Sequence, residues 1–166
     1  MPRTARAALS EHLRMMQIEA SCVCRVVWRA GVPVQGQPGV TWLELTGPTG
    51  IAIGRPARVK LRASQLVATA PDQSDRAFDA TVSGYRYEVD GVDGSELIAF
   101  HWHPAGRSRI TRPHIHLSML RGADSRLLGA GHVPSGIVQF ADVVRFIIVE
   151  LGVQPTRADW RTILET

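Results

Sequence analysis

A chain of 166 residues that is 45% apolar and 20% charged has ordinary globular composition, which excludes a disordered, collagen-like or disulfide-scaffold protein. No apolar run approaches the ~20 residues of a membrane span, and the charged N-terminus leads into no signal-peptide core. One soluble, cytoplasmic domain over residues 1–166, with no membrane contact, is expected. The net charge of +4 is unevenly spread, because residues 97–126 carry five arginines against Asp124 alone. An anionic partner would respond to that local field.

In chain order, Leu9, Leu13, Met16 and Ala20 form one helical stripe, which predicts an amphipathic helix over 4–19. Residues 20–28 read as a strand. Its Cys22 and Cys24 stand at i and i+2, a spacing that seldom meets disulfide geometry, so buried free thiols are expected rather than metal ligands. A breaker-rich loop over 31–39, a strand over 40–45, an untidy helix over 55–69 and a polar connection over 71–79 follow. Alternation then predicts three antiparallel strands, over 85–89, 96–103 and 114–120, with the turn Asp90-Gly-Val-Asp-Gly94 and a charged loop over 104–112 between them. Phe140, Val143, Val144, Ile147 and Leu151 share a helical face that Gly152 closes. Thr156-Arg-Ala-Asp159 reads as a capping box for a short helix carrying Trp160, Ile163 and Leu164. The expected fold is α+β: an antiparallel β-meander sheet with helices packed on one face and a C-terminal helix pair.

Strand period two sorts the meander into faces. Ile98, Phe100 and Trp102 belong on the core side with Ile115, Leu117 and Met119, which leaves His101, His103, His114 and His116 together on the other side with Ser118. Pairing His103 with His114 sets His101 opposite His116. Pairing Val89 with Glu96 puts Tyr85 and Tyr87 on the core side and adds Arg86 and Glu88 to the histidine face. Arg107, Arg109 and Arg112 stand on the overhanging loop, and His132, on a loop before the C-terminal helix, is a further candidate. His12, on the first helix, reads as structural or exposed.

Three chemistries fit this set. Two histidines can act as general base and general acid while arginines stabilise a developing phosphorane, the logic of metal-free RNA cleavage. In that leading reading His101 and His116 are the acid–base pair, His103, His114 and Glu88 support them, and Arg86 and Arg109 bind phosphate. Arg107, Arg112, Ser118 and His132 complete the substrate surface. Alternatively, His101, His103, His114 and His116 present imidazoles to zinc or another divalent transition metal, with Glu88 as ligand or base. The third reading is a basic face that docks a partner protein without catalysis.

Several motifs fail on inspection. His114-Ile-His-Leu-Ser118 departs from the histidine-triad nucleotide hydrolase pattern at Ser118, and no second His-x-Ser/Thr completes a two-histidine phosphoesterase signature. Tyr85-Arg-Tyr87, a turn, a strand into His103-Pro104 and then Pro113-His114-Ile-His116 resembles the TumE-type prokaryotic toxin family over residues 84–117, about a fifth of the chain. That resemblance implies a compact α+β toxin-like protein working beside an antitoxin partner, on RNA or a nucleic-acid process. It carries over only the histidine positions.

Overall fold

Thr4 starts the first helix, α1 (Ala5–Ala20): its hydroxyl accepts the Ala7 amide at 3.1 Å and satisfies one of the donors a helix start leaves unpaired. The computed structural model describes residues 2–25, 27–45, 50–54, 58–72, 77–105, 109–117 and 132–165. The strand expected over 20–28 is corrected. The amides of Cys22, Val23 and Cys24 bond back to the carbonyls of Glu19 and Ala20, so the apolar run is wound into the turn that leaves α1. A short apolar run buries equally well as a helix end or as a strand, and sequence period alone does not separate the two. Cys22 and Cys24 are buried free thiols, and burial raises the Cys22 thiol above its ordinary value.

Eight antiparallel strands follow among the described residues: β1 (Trp28–Pro33), β2 (Val40–Leu45), β3 (Ile51–Ile53), β4 (Val59–Pro71), β5 (Phe78–Gly91), β6 (Glu96–Trp102), β7 (His114–Leu117) and β8 (His132–Pro134). Their lateral order is β1-β2-β4-β5-β6-β7-β8, and β3 pairs with the start of β4. β1 runs into the expected 31–39 loop as far as Pro33, with a register irregularity between Ala30 and Pro33. The helix expected over 55–69 is instead the long strand β4. Val59, Leu61, Ala63, Gln65 and Val67 form a buried row at every second position, and the polar Gln65 is what hides the pattern. Its amide is fully engaged: Oε1 pairs with His12 Nε2 at 2.7 Å, and Nε2 donates to the Tyr87 hydroxyl at 2.6 Å. His12 is therefore structural, one of the two roles expected of it.

The core lies between one sheet face and the helices. α2 (Phe140–Val149) seats Phe140 edge-on to Trp28, ring centroids 5.1 Å apart, and against Tyr87 at 5.6 Å; Phe146 meets Phe100 at 6.2 Å. α1 packs on the same face, since Gln65 also reaches the Met16 sulfur. α3 (Trp160–Leu164) packs on α1 and α2. The α+β class, the antiparallel sheet with helices on one face and the C-terminal helix pair are thus as expected, and Gly152 ends the α2 segment at φ 65°. The capping box at 156–159 is corrected. The α3 N-cap is Asp159, which makes no capping side-chain bond and pairs with Arg157, while Thr156 bonds through amide and hydroxyl to the Cys22 and Ser21 carbonyls. That segment is spent on tying the C-terminus to the end of α1. Among the described residues, no helix is long and apolar enough to cross a membrane.

One helix contact is pH-sensitive. Burial, and then the Asp142 charge on α2, raises the Glu19 carboxyl on α1 from its ordinary 4.5 to about 7. A folded-state pKa above the unfolded one gives stability that is complete below about pH 4.5 and is lost as pH rises through about 7. Glu19→Gln is therefore expected to flatten the pH dependence of urea unfolding across this window and to add about 1–2 kcal/mol at alkaline pH. An unchanged slope in the variant would mean that Glu19 titrates as in the unfolded chain.

Candidate metal centre

The sheet face turned away from the helices carries two lateral rows of side chains, each crossing five strands. One row runs Arg62, Glu88, Ala99, His116, His132; the next runs Ser64, Arg86, His101, His114, Pro134. The expected register is corrected on both sides of β6. His101 faces His114 and Ala99 faces His116, while Val89 pairs with Ile98, so each hairpin is shifted by two residues. Pro104 and Pro113 lack the amide donors that would extend the β6–β7 ladder outward. An even shift keeps every residue on its face. Arg86, Glu88, His101, His114 and His116 therefore lie together as the alternation required.

Ala99 shapes the centre of this face. It is fully buried, and its single methyl leaves room between Glu88 and His116 in the row. The His101 ring, from the adjacent row, reaches both: Nε2 is 3.6 Å from Glu88 Oε1, and its centroid is 4.3 Å from that of His116. His114 is 3% exposed, lies 5.0 Å from His116 and 5.8 Å from His101 by ring centroid, and has Nδ1 2.8 Å from the Arg112 carbonyl oxygen. One ring nitrogen from each of His101, His114 and His116 lies within 4.8 Å of the other two. Zinc–imidazole bonds of about 2.0–2.1 Å draw ligand nitrogens closer than that, a contraction that side-chain rotation can supply.

The remaining histidines flank this trio. His132 stands on the edge strand β8 rather than in a loop, paired with His116, and its ring lies 4.2 Å from His116 and 5.1 Å from His114. His103 lies just past β6, 5.3 Å from His101. Burial lowers its pKa, and the neighbouring His101, His114 and Arg86 lower it further.

Glu88 sits behind the trio, 3% exposed and ionised. Burial alone would raise its carboxyl, but His101, Arg86 and Arg62 outweigh burial and hold it at about 2. Arg86 bonds Glu88 Oε1 through Nε and Nη2, and Arg62 spans Glu88 Oε2 at 3.1 Å and Asp90 Oδ2 at 2.7 Å. The sequence pattern had not singled out Arg62 or the buried Asp90. A strand reading of 55–69 finds Arg62, because period two in β4 puts it opposite Glu88. Beside the histidines a depression of about 180 Å³ is lined by Trp42, Glu44, Arg62, Ser64, Arg86 and Glu88. Arg109 and Arg112 are exposed on the loop before β7, while Arg107 and Ser118 lie outside the described residues. A cavity of about 550 Å³ lined by Cys24, Arg25, Ile51 and Pro155 contains no histidine and is remote from this chemistry.

No protein-family model matches the chain, and neither curated proteins nor solved structures give a match.

Proposed function

We propose that this chain is a metal-dependent enzyme whose centre is a divalent first-row transition ion held by His101, His114 and His116. The observation that carries the reading is the convergence of three imidazoles from two adjacent strands, with ring nitrogens within 4.8 Å of one another. Three neutral nitrogen donors suit zinc and its neighbours, and they leave coordination positions open as a catalytic site does. Such an ion supplies Lewis acidity and a water that ionises near neutral pH. The chain's own contribution is to aim the rings, to hold an ionised carboxylate behind them and to place Arg86, half exposed, at the rim.

Elemental analysis of protein incubated with Zn²⁺, Mn²⁺ or Fe²⁺ and then gel-filtered tests this. Close to one equivalent of one ion is expected in wild type and almost none in His114→Ala. Wild type without a stoichiometric ion after all three incubations would sink the reading.

A second reading is the metal-free one, a ribonuclease-like toxin acting on RNA beside an antitoxin partner. What favours it is Arg86 adjoining His101 across the β5–β6 pair, with His103 beyond. It requires RNA binding that weakens steeply with salt, through released counterions, and cleavage that persists in EDTA. Cleavage abolished by EDTA and restored by the ion would return the same residues to the metal reading.

A further inference from the structure

Two of the rings show which nitrogen is turned toward a neighbour outside the cluster. His114 directs Nδ1 at the Arg112 carbonyl oxygen, 2.8 Å away, which leaves Nε2 to face the cluster. His101 Nε2 lies 3.6 Å from Glu88 Oε1, an ion-pair distance just beyond hydrogen-bond length, so its Nδ1 is the nitrogen on the other side of the ring. The Glu88 carboxylate is itself fixed: Arg86 holds Oε1 and Arg62 holds Oε2, with Arg62 braced in turn on Asp90. Its 3% exposure leaves no room for the carboxylate to swing into water. A carboxylate of this kind fixes the tautomer and orientation of a histidine that binds metal.

We infer that Glu88 is a positioning residue of the centre, an outer-sphere carboxylate that turns His101 so that it binds the ion through Nδ1, while His114 binds through Nε2. The inference rests on the metal reading above. It separates Glu88 from the ligand or base that the sequence suggested, because both its oxygens are occupied by cations. Arg62 and Arg86 then serve the centre indirectly, by holding Glu88 in place.

The test combines Zn²⁺ titration with ¹H–¹⁵N spectra of histidine-labelled full-length protein, since two-bond couplings tell an Nδ1 ligand from an Nε2 ligand. In wild type with zinc, His101 is expected as an Nδ1 ligand and His114 as an Nε2 ligand. Glu88→Gln is expected to bind zinc about 10–100-fold more weakly and to lose the single His101 tautomer. Arg62→Gln, which keeps the carboxylate but loosens its hold, should weaken zinc binding less than Glu88→Gln does. Melting of the zinc-free proteins shows whether each variant still folds. His101 bound through Nε2, or Glu88→Gln binding as tightly as wild type, would overturn the inference and leave the metal centre standing. No zinc uptake by wild type overturns both, and the zinc-free spectrum then shows whether Glu88 still fixes the His101 tautomer without an ion.

Discussion

Replacing Phe140 with alanine is expected to remove about 3–5 kcal/mol of folding stability, read as a lower urea midpoint with an unchanged denaturant slope. The ring is 1% exposed and wedged between Trp28 of β1 and Tyr87 of β5, so it fastens α2 to two strands that are not neighbours in the sheet. Truncation would leave a void bounded by aromatic rings on a rigid sheet, a setting that collapses poorly and so keeps the cavity cost. Against a total stability of about 5–15 kcal/mol, such a loss brings the protein near unfolding. A loss below about 1 kcal/mol would mean that α2 does not anchor on this sheet face.

Zinc at about one hundred times its dissociation constant is expected to stabilise the protein by about 2.7 kcal/mol, because the unfolded chain has no assembled donor set. For a chain of this size that corresponds to a melting shift of about 5–10 °C. His114→Ala should lose nearly all of the shift. The ring is buried and its Nδ1 is held by the Arg112 carbonyl, which leaves Nε2 for the ion. His12→Ala is the informative control: that ring bonds Gln65 on the helix side of the sheet, so the zinc-dependent shift should persist even if the baseline falls. Equal zinc shifts in His114→Ala and wild type would place the ion somewhere other than the three imidazoles.

The histidine face is legible in the sequence because parity is robust. The register expected for each hairpin is off by two residues, yet Arg86, Glu88, His101, His114 and His116 keep their side of the sheet, since only an odd slip exchanges faces. What alternation does not supply is depth. That Glu88 is buried, that Ala99 opens space for His101, and that the rings converge all depend on neighbours across strands. Elsewhere the failures have local causes. A buried Gln65 disguises the apolar row of β4, and an apolar run at the end of α1 imitates a strand. His132 reads as a loop residue because a strand as short as His132–Pro134 shows no alternation.

The two lateral ends of the sheet carry a shared feature. β1 finishes at Pro33 after a register irregularity, and β8 is three residues long and finishes at Pro134. A proline offers no amide hydrogen to a newcomer, and a bulged or very short strand gives it little length to pair with. The described sheet therefore resists self-association by edge-to-edge growth, even though strands as long as β4 and β5 would template it readily if exposed. Both long strands are interior, flanked on each side by hydrogen-bonded neighbours. In the described sheet Pro33 and Pro134 are thus the edge positions where substitution would restore an amide donor to an incoming strand.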